Sequence, residues 1–352
     1  MPALAVAGAL RAEGAEVTFI GGERAESELV PAAAYPLRKI SVEGMSRTNP
    51  LHAVRALARA ARAFAHARRL LKELKPDAVM GGGGYVAGPV GLAAMTLRIP
   101  LVLTEADSHL GLTNRVLARG ARRVCLAFPL AGREGTRYRV TGRPGPPPRE
   151  DRVKARERLG LVEGRDCVLV FGGSLGARSI NLATVEAFAG TPFISEAPVG
   201  TATAGAAFAV LHVAGRRDYP ELAARDLQEG YDLREYLDLK EFGDALAAAD
   251  LVVARAGGSV FEIAASGTPA ILVPYPHASA DHQMENARWM ENAGAAVVIA
   301  DGELTAPRLA KEVAELLADR ERLAGMARAS KGLARPDAAK DIADELLDAA
   351  AR

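Results

Sequence analysis

The stretch CVLVFGGSLGAR at residues 167–178 decides the fold class. Its first five residues, Cys167 to Phe171, form an apolar run that is typical of a strand buried on both faces of a sheet. Glycines then follow, and they suit a tight turn because glycine lets the backbone bend sharply and lets its N–H groups approach an anion. A buried strand, a glycine-rich turn and a helix in this order predict a parallel sheet covered by helices.

The same order recurs along the chain and predicts an α/β fold. The other strand candidates are short apolar runs that alternate with helical patterns: Val17 to Ile20, Ala78 to Met80, Leu101 to Thr104, Val124 to Ala127, Ala209 to His212, Leu251 to Ala254, Ala270 to Val273 and Ala296 to Ile299. The proline-rich segment 141–148 interrupts this alternation, because proline lacks a backbone donor and fixes φ. We therefore expect one domain over residues 1–143, a second over 144–335, and a surface loop at 191–207 inside the second.

Length and composition narrow the class of protein. A chain of 352 residues suits two domains. The net charge of +1 gives no reason to expect nucleic acid as a partner. Apolar stretches stay well short of the roughly 20 residues that span a bilayer, and the N-terminus lacks a basic region followed by an apolar one. We expect a cytoplasmic protein with at most peripheral membrane contact, in which Cys125 and Cys167 are small buried residues.

The N-terminal residues predict a helix from Met1 to Glu13, with Pro2 in its first turn and Gly14 after its end. A doubly wound domain normally places a strand and a glycine-rich turn before this helix. Neither precedes it in the sequence. We expect the first domain to lack its usual first strand and glycine loop.

Two more glycine-rich turns follow strand candidates, at Gly81 to Tyr85 and at Ala256 to Ser259. A tight turn needs glycine for steric reasons alone, but several such turns at the carboxyl ends of strands favour a nucleotide site. Glu262 lies about one turn further along. Its carboxylate either interacts with the helix dipole or accepts hydrogen bonds from ribose hydroxyls.

A polar segment at residues 274–283, PYPHASADHQ, follows the next strand candidate. Its donors and acceptors suit the hydroxyls of a sugar. His277 and His282 are metal ligands by residue type, but no cysteine or third histidine lies at a ligand spacing, so we expect no metal.

Titratable residues also follow the strand candidate Leu101 to Thr104. Glu105, Asp107 and His109 occupy the position from which a general base would act on a hydroxyl. Each of them is also suited to cap the helix that begins near Leu112.

The helix predicted at residues 51–74 carries a basic row, Arg55, Arg59, Arg62 and Arg69. A solvated face is the default interpretation of such a row. The alternative is a surface for anionic phospholipid headgroups.

Taken together, several motifs resemble those of the MurG glycosyltransferase family. They occur in the family's order: GGYVAGP at 83–89, LTN at 112–114, GGSLGARSIN at 172–181, RAGGS at 255–259 and ADHQ at 280–283 followed by Asn286-Ala287. The family transfers N-acetylglucosamine (GlcNAc) from UDP-GlcNAc to undecaprenyl-diphospho-muramoyl-pentapeptide. The resemblance runs from Pro2 to the final helix and implies a GT-B fold, with two Rossmann-like domains facing a cleft and a C-terminal helix, 336–352, that packs on the first domain.

The resemblance also implies roles for individual residues. The donor site would use Glu262 for the ribose, the Leu239 backbone for uracil, Ser174, Gly257, Gly258 and Ser259 for the diphosphate, and His282 and Gln283 for GlcNAc. The acceptor site would use Gly83, Gly84, Tyr85 and Asn114. The reaction would be one inverting displacement without a cofactor or an obligatory metal.

Three departures from the family pattern stand out. The family's first glycine loop and its histidine would precede Met1, which leaves Glu105 and Asp107 as the candidates for the base. Asp107 stands where the family has an asparagine, and Pro146 stands where its linker has an arginine. Another UDP-sugar glycosyltransferase, a UDP-GlcNAc epimerase and an inactive lipid-precursor binder are the alternative functions.

Overall fold

The structure is a computed structural model, and it describes the chain in segments. These are residues 2–23, 26–40, 50–149, 151–161, 164–189, 208–228, 230–278 and 281–351, with the backbone alone for 50–58. The loop predicted at 191–207 lies outside the described residues. Two compact units make up the chain, one of Met1–Pro146 with Arg335–Arg352 and one of Pro147–Ala334.

The first unit is built of parallel strands and helices. Its elements up to the linker are α1 (Pro2–Ala12), β1 (Phe19–Gly21), α2 (Glu26–Ala32), β2 (Leu37–Lys39), α3 (Pro50–Leu74), β3 (Val79–Gly81), α4 (Gly84–Thr96), β4 (Leu101–Glu105), α5 (Leu112–Leu117), β5 (Arg123–Leu126) and β6 (Tyr138–Val140). Among the described residues β1 and β2 form one sheet, and the other strands form a second sheet in the order β3-β4-β5-β6. All of these pairs are parallel. Leu101, Leu103 and Leu126 form the centre of its core.

The second unit is a doubly wound domain. Its elements are α6 (Arg152–Leu159), β7 (Asp166–Phe171), α7 (Arg178–Phe188), β8 (Phe208–Val213), α8 (Tyr219–Ala223), β9 (Tyr231–Arg234), α9 (Leu239–Ala248), β10 (Leu251–Ala254), α10 (Val260–Ser266), β11 (Ala270–Leu272), α11 (His282–Asn292), β12 (Ala296–Val298), a 3₁₀ helix (Asp301–Glu303), α12 (Ala306–Ala318) and α13 (Arg320–Leu333). Within the described segments the parallel sheet has the order β12-β11-β10-β7-β8-β9.

This order reverses direction between β7 and β10. The chain runs outward from β7 through β8 to β9, and then returns to β10 and runs outward on the other side. Ligands of open α/β sheets bind at such a switch point, outside the carboxyl ends of the strands. The prediction of an α/β fold with parallel sheets is confirmed.

The last helix, α14 (Ala338–Ala350), belongs to the first unit. Its apolar face packs Ile342 and Leu346 against Val102 and Val6. No helix of the described residues combines the length and the apolar character that crossing a membrane requires.

A buried carboxylate fastens α14 to the sheet of the first unit. Glu345, whose side chain is 7% exposed, accepts from Arg123 Nε at 2.6 Å and from Arg139 Nη1 at 2.9 Å. Burial alone would raise the pKa of Glu345, but the hydrogen bonds from Arg139 and Arg123 outweigh it and lower the pKa. The charged form of Glu345 therefore stabilises the fold.

Replacing Glu345 tests the attachment of α14. We expect Glu345→Gln to lower the free energy of unfolding by about 2 kcal/mol, since two arginines lose their buried partner. Asp344→Asn is the matched control, because Asp344 pairs with Lys340 at the exposed surface, where such pairs contribute little to stability. Urea unfolding at neutral pH measures both variants. The effect of Glu345→Gln should fade as the pH falls through the lowered pKa of Glu345, and equal effects of the two variants would contradict the role of this carboxylate.

Candidate nucleotide and acceptor sites

Glycine-rich loops leave the carboxyl ends of β7 and β10, the two strands at the switch point. The Gly172 loop (Gly172–Ala177) follows Phe171, and the Gly257 loop (Ala256–Ser259) follows Ala254 and Arg255. Phe171 and Ala254 pair in register, and Ala254 pairs with Leu272 of β11 on its other side. The two loops and the segment after β11 therefore start side by side at one edge of the sheet.

The segment after β11 returns to the Gly257 loop through Gln283. Gln283 Oε1 accepts from the N–H of Tyr275 at 3.0 Å. Its Nε2 lies 4.0 Å from the place that a Cβ on Gly257 would occupy. The amide oxygen is thus engaged within the protein, so the NH₂ group of Gln283 is the part that faces the loop and can donate to a ligand.

The other residues predicted for the donor follow the carboxyl ends of β7, β10 and β11. Ser174 is exposed within the Gly172 loop, while Gly258, Ser259 and Glu262 are half-buried at and after the Gly257 loop. His282 is half-buried at the start of α11.

Leu239, the residue predicted to meet uracil, is 54% exposed at the start of α9. The Asp238 side chain accepts from the N–H groups of Lys240 and Glu241 at 2.7 Å and 2.9 Å. These two bonds leave aside the N–H of Leu239, which as a first-turn group has no partner within the helix.

Arg255, which precedes the Gly257 loop, is the centre of a hydrogen-bonded cluster that the sequence does not indicate. Arg255 Nη1 donates to Asp301 at 2.5 Å and to the carbonyl of Pro274 at 3.2 Å, and its Nη2 donates to Ser179 at 2.9 Å. The Tyr275 ring lies 5.4 Å from the guanidinium carbon. Arg255 thereby ties together the ends of β10 and β11 and the start of α7. Its partners lie far apart in the chain, so no spacing in the sequence indicates the cluster.

In the first unit, the loop Gly82–Gly84 joins β3 to α4. Gly83 and Gly84 have φ values of 77° and 75°, in the left-handed region that favours glycine. A Cβ on Gly83 would lie 3.6 Å from Asn114 Nδ2. Tyr85 is 57% exposed beside this loop. The structure thus brings together the four residues predicted for the acceptor.

Asn114 has an oxygen that the described residues leave without a hydrogen-bond partner. Its Nδ2 donates to Thr104 O at 3.0 Å and to Glu105 Oε2 at 2.9 Å. Both partners accept only, so the amide cannot be flipped and Oδ1 is an acceptor. Asn114 is 1% exposed, and its Oδ1 is unpaired within the described segments. An unpaired buried acceptor is costly, so this oxygen is suited to a donor group of a ligand.

The two candidates for the base differ in their surroundings. Glu105 is 8% exposed, and its carboxylate accepts from Gly111 N at 2.8 Å and from Asp107 N at 3.3 Å in addition to Asn114. These bonds hold the turn between β4 and α5. Asp107 is exposed on the same turn, with His109 half-buried nearby.

Comparison with known proteins identifies both halves of the chain. Residues 1–126 match the glycosyltransferase family 28 N-terminal domain, and residues 167–342 match its C-terminal domain. Two relatives are each named UDP-N-acetylglucosamine–N-acetylmuramyl-(pentapeptide) pyrophosphoryl-undecaprenol N-acetylglucosamine transferase. The relative from Moorella thermoacetica is 40% identical over 98% of this chain and 94% of its own length. The relative from Rubrobacter xylanophilus is also 40% identical, over 98% of both chains.

Solved structures agree with this assignment. MurG of Acinetobacter baumannii superimposes with a TM-score of 0.75 at 29% identity, covering 99% of this chain and 95% of that one. A UDP-GlcNAc 2-epimerase from Neisseria meningitidis shares the fold, with a TM-score of 0.63 at 13% identity over 98% of this chain and 95% of that one. The chain belongs to glycosyltransferase family 28 and, within it, to the MurG family.

Proposed function

We propose that this chain is a hexosyltransferase that moves GlcNAc from UDP-GlcNAc to the muramoyl 4-hydroxyl of undecaprenyl-diphospho-N-acetylmuramoyl-pentapeptide, a step of peptidoglycan synthesis. The names of its relatives describe such a transferase, and the chain covers almost their whole length. The observation that carries the proposal is the switch point of the second unit, where two glycine loops start side by side and the Gln283 amide faces one of them.

The donor would lie over the Gly172 and Gly257 loops. Their backbone N–H groups and the start of α7 suit the diphosphate, because preorganised donors stabilise the charge that develops on departing UDP. Glu262 would accept from the ribose hydroxyls and the backbone of Leu239 would meet uracil. Gln283, with His282, would donate to a sugar hydroxyl, since the Gln283 oxygen is already engaged by Tyr275.

The acceptor would lie on the first unit beside Gly83, Gly84, Tyr85 and Asn114. In the reaction the muramoyl 4-oxygen bonds to the anomeric carbon from the face opposite UDP, the bond from that carbon to the diphosphate oxygen breaks, and the hydroxyl proton goes to a base. Glu105 and Asp107 are the two candidates for this base. Glu105 also holds Asn114 and the turn, through the bonds that it makes, and Asp107 is exposed on the same turn, where the family has an asparagine.

Transfer of labelled GlcNAc tests the proposed function. The purified chain, UDP-[¹⁴C]GlcNAc and the undecaprenyl-linked acceptor in detergent should give a labelled lipid and one UDP per transfer. Absence of labelled lipid, with UDP release no higher than without acceptor, would refute the proposal. Conversion of UDP-GlcNAc to its 2-epimer would favour the epimerase instead.

The basic row of α3 supports a peripheral position at the cytoplasmic face of the membrane. Arg59, Arg62 and Arg69 of this row are exposed, and Lys72, which is also exposed, extends the same face at helical spacing. The side chain of Arg55 lies outside the described residues. Each basic residue near an anionic surface contributes about 1 kcal/mol of attraction.

Charge reversal tests this membrane surface. We expect the triple variant Arg62→Glu, Arg69→Glu, Lys72→Glu to bind phosphatidylglycerol vesicles at least about tenfold more weakly. Its rate of GlcNAc transfer to a water-soluble acceptor analogue should stay within about twofold of the native rate, because salt screens exposed charges beyond about 10 Å. The control reverses three exposed cations of the second unit, Lys240, Arg288 and Lys311. Equal losses in co-sedimentation for both triples would mean that net charge, and not α3, sets the affinity.

A further inference from the structure

A buried chain of polar side chains runs beneath the Gly172 loop. Tyr231 OH lies 2.6 Å from His212 Nδ1, and His212 Nε2 lies 3.0 Å from Asn181 Oδ1. Asn181 Nδ2 donates to Ala214 O at 2.8 Å and to Asp218 Oδ2 at 2.9 Å. His212 and Asn181 are fully buried, Asp218 is 3% exposed and Tyr231 8% exposed.

The two acceptors at the end of this series, Ala214 O and Asp218 Oδ2, fix the donor and acceptor of every hydrogen bond in it. A backbone carbonyl accepts only, and the hydrogen bond from Arg217 lowers the pKa of Asp218, so its carboxylate also accepts. Asn181 therefore presents Nδ2 to both of them and Oδ1 to the histidine. His212 must then carry its proton on Nε2, and its Nδ1 accepts from Tyr231 OH. Burial lowers the pKa of His212 to about 4, so the ring stays neutral near neutral pH.

This hydrogen-bonded series of side chains ends at the Ala214–Gly215 turn, which contacts the Gly172 loop directly. Asn181 holds the carbonyl of Ala214, and a Cβ on Gly176 would overlap this same carbonyl oxygen. A Cβ on Gly215 would overlap the backbone nitrogen of Gly176. The backbones of the loop and of the Ala214–Gly215 turn are therefore in contact, so a shift of the turn must displace the loop.

We propose that His212 is a positioning residue for the nucleotide site. Through Asn181 it holds the Ala214–Gly215 turn, which fixes the Gly172 loop in the shape that binds the donor diphosphate. This inference rests on the proposed function, because it assigns the loop to the donor. His212 itself lies below the loop, fully buried, and acts through Asn181.

The test compares substitutions that remove or retain the donor at the position of His212 Nε2. His212→Phe keeps a planar ring but removes both hydrogen bonds, whereas His212→Gln retains an N–H donor for Asn181. Tyr231→Phe is a milder second variant if His212→Phe does not fold. Leu211→Val is the matched control, because Leu211 is equally buried on the same strand but, by the alternation of a strand, points to its other face.

We expect His212→Phe to raise the KM for UDP-GlcNAc and the Kd for UDP about tenfold, while the KM for the lipid acceptor stays within about twofold. His212→Gln should recover most of the loss, and Leu211→Val should change thermal stability without changing the KM for UDP-GlcNAc. An unchanged KM in His212→Phe, equal changes in Leu211→Val, or no recovery in His212→Gln would each overturn the proposal.

Hydrogen exchange separates this proposal from the proposed function. Amides of residues 172–181 should exchange faster in His212→Phe and in Tyr231→Phe, and remain at the native rate in Leu211→Val. This result does not require that the chain bind UDP, so it decides the coupling even if the donor assignment fails. Unchanged exchange in both variants would overturn the coupling, and faster exchange without any UDP binding by the native chain would overturn only the donor role of the loop.

Discussion

Gly176→Ala should weaken UDP binding about a hundredfold, because a displaced loop would lose about two hydrogen bonds to the charged diphosphate, each of about 1.5 kcal/mol. Gly176 has a φ of 83°, and an added Cβ would overlap the carbonyl oxygen of Ala214. Alanine in the left-handed region costs about 1 to 2 kcal/mol by itself. The overlap adds a second effect, since loop or turn must shift. Isothermal titration with UDP measures the result.

Gly160→Ala is the matched control for this substitution. Gly160 also has a left-handed φ, of 69°, but an added Cβ would meet nothing within 4 Å. It should lose about 1 kcal/mol of stability to backbone strain and keep native affinity for UDP. If both variants bound UDP equally well, the Gly172 loop would not be part of the nucleotide site.

Glu262→Ala should weaken UDP binding by about ten- to a hundredfold, because hydrogen bonds to a charged acceptor contribute about 1.5 to 3 kcal/mol. Glu262→Gln should lie between native protein and Glu262→Ala, since an amide oxygen still accepts. Glu105→Ala should leave UDP affinity unchanged and impair transfer, because Glu105 holds the acceptor turn of the first unit through Gly111 and Asn114.

UDP affinity from titration and the rate of transfer to the acceptor, both measured on the same preparations, distinguish the roles of Glu262 and Glu105. Equal losses of UDP affinity in Glu262→Ala and Glu105→Ala would mean that the roles assigned to the two units are wrong.

Strands were predictable from sequence where they form apolar runs and were missed where they carry charged residues. The candidate Leu251 to Ala254 is strand β10 itself, in the middle of its sheet. The missed strands β2, β6 and β9 each lie at the edge of a sheet. Each carries charged residues, as in Arg38-Lys39 of β2, and charges on edge strands protect them from further pairing. An apolar run therefore predicts central strands and the uncharged edge strands β3 and β12, while charged edge strands need the tertiary context.

The candidate sites follow a similar division. The family resemblance implied that the Gly172 and Gly257 loops surround one diphosphate, and the register of Phe171 with Ala254 makes their strands neighbours. Contacts between distant residues were not predictable. Arg255 with Asp301, and His212 with Asn181, each join residues from different elements, and neither the spacing nor the residue types indicate them.

A crystal structure with UDP-GlcNAc would test the central claim most directly. The diphosphate should lie against the backbone N–H groups of the Gly172 and Gly257 loops, the ribose at Glu262, and a GlcNAc hydroxyl within hydrogen-bond distance of Gln283 Nε2. A nucleotide bound away from the carboxyl ends of β7 and β10 would contradict it.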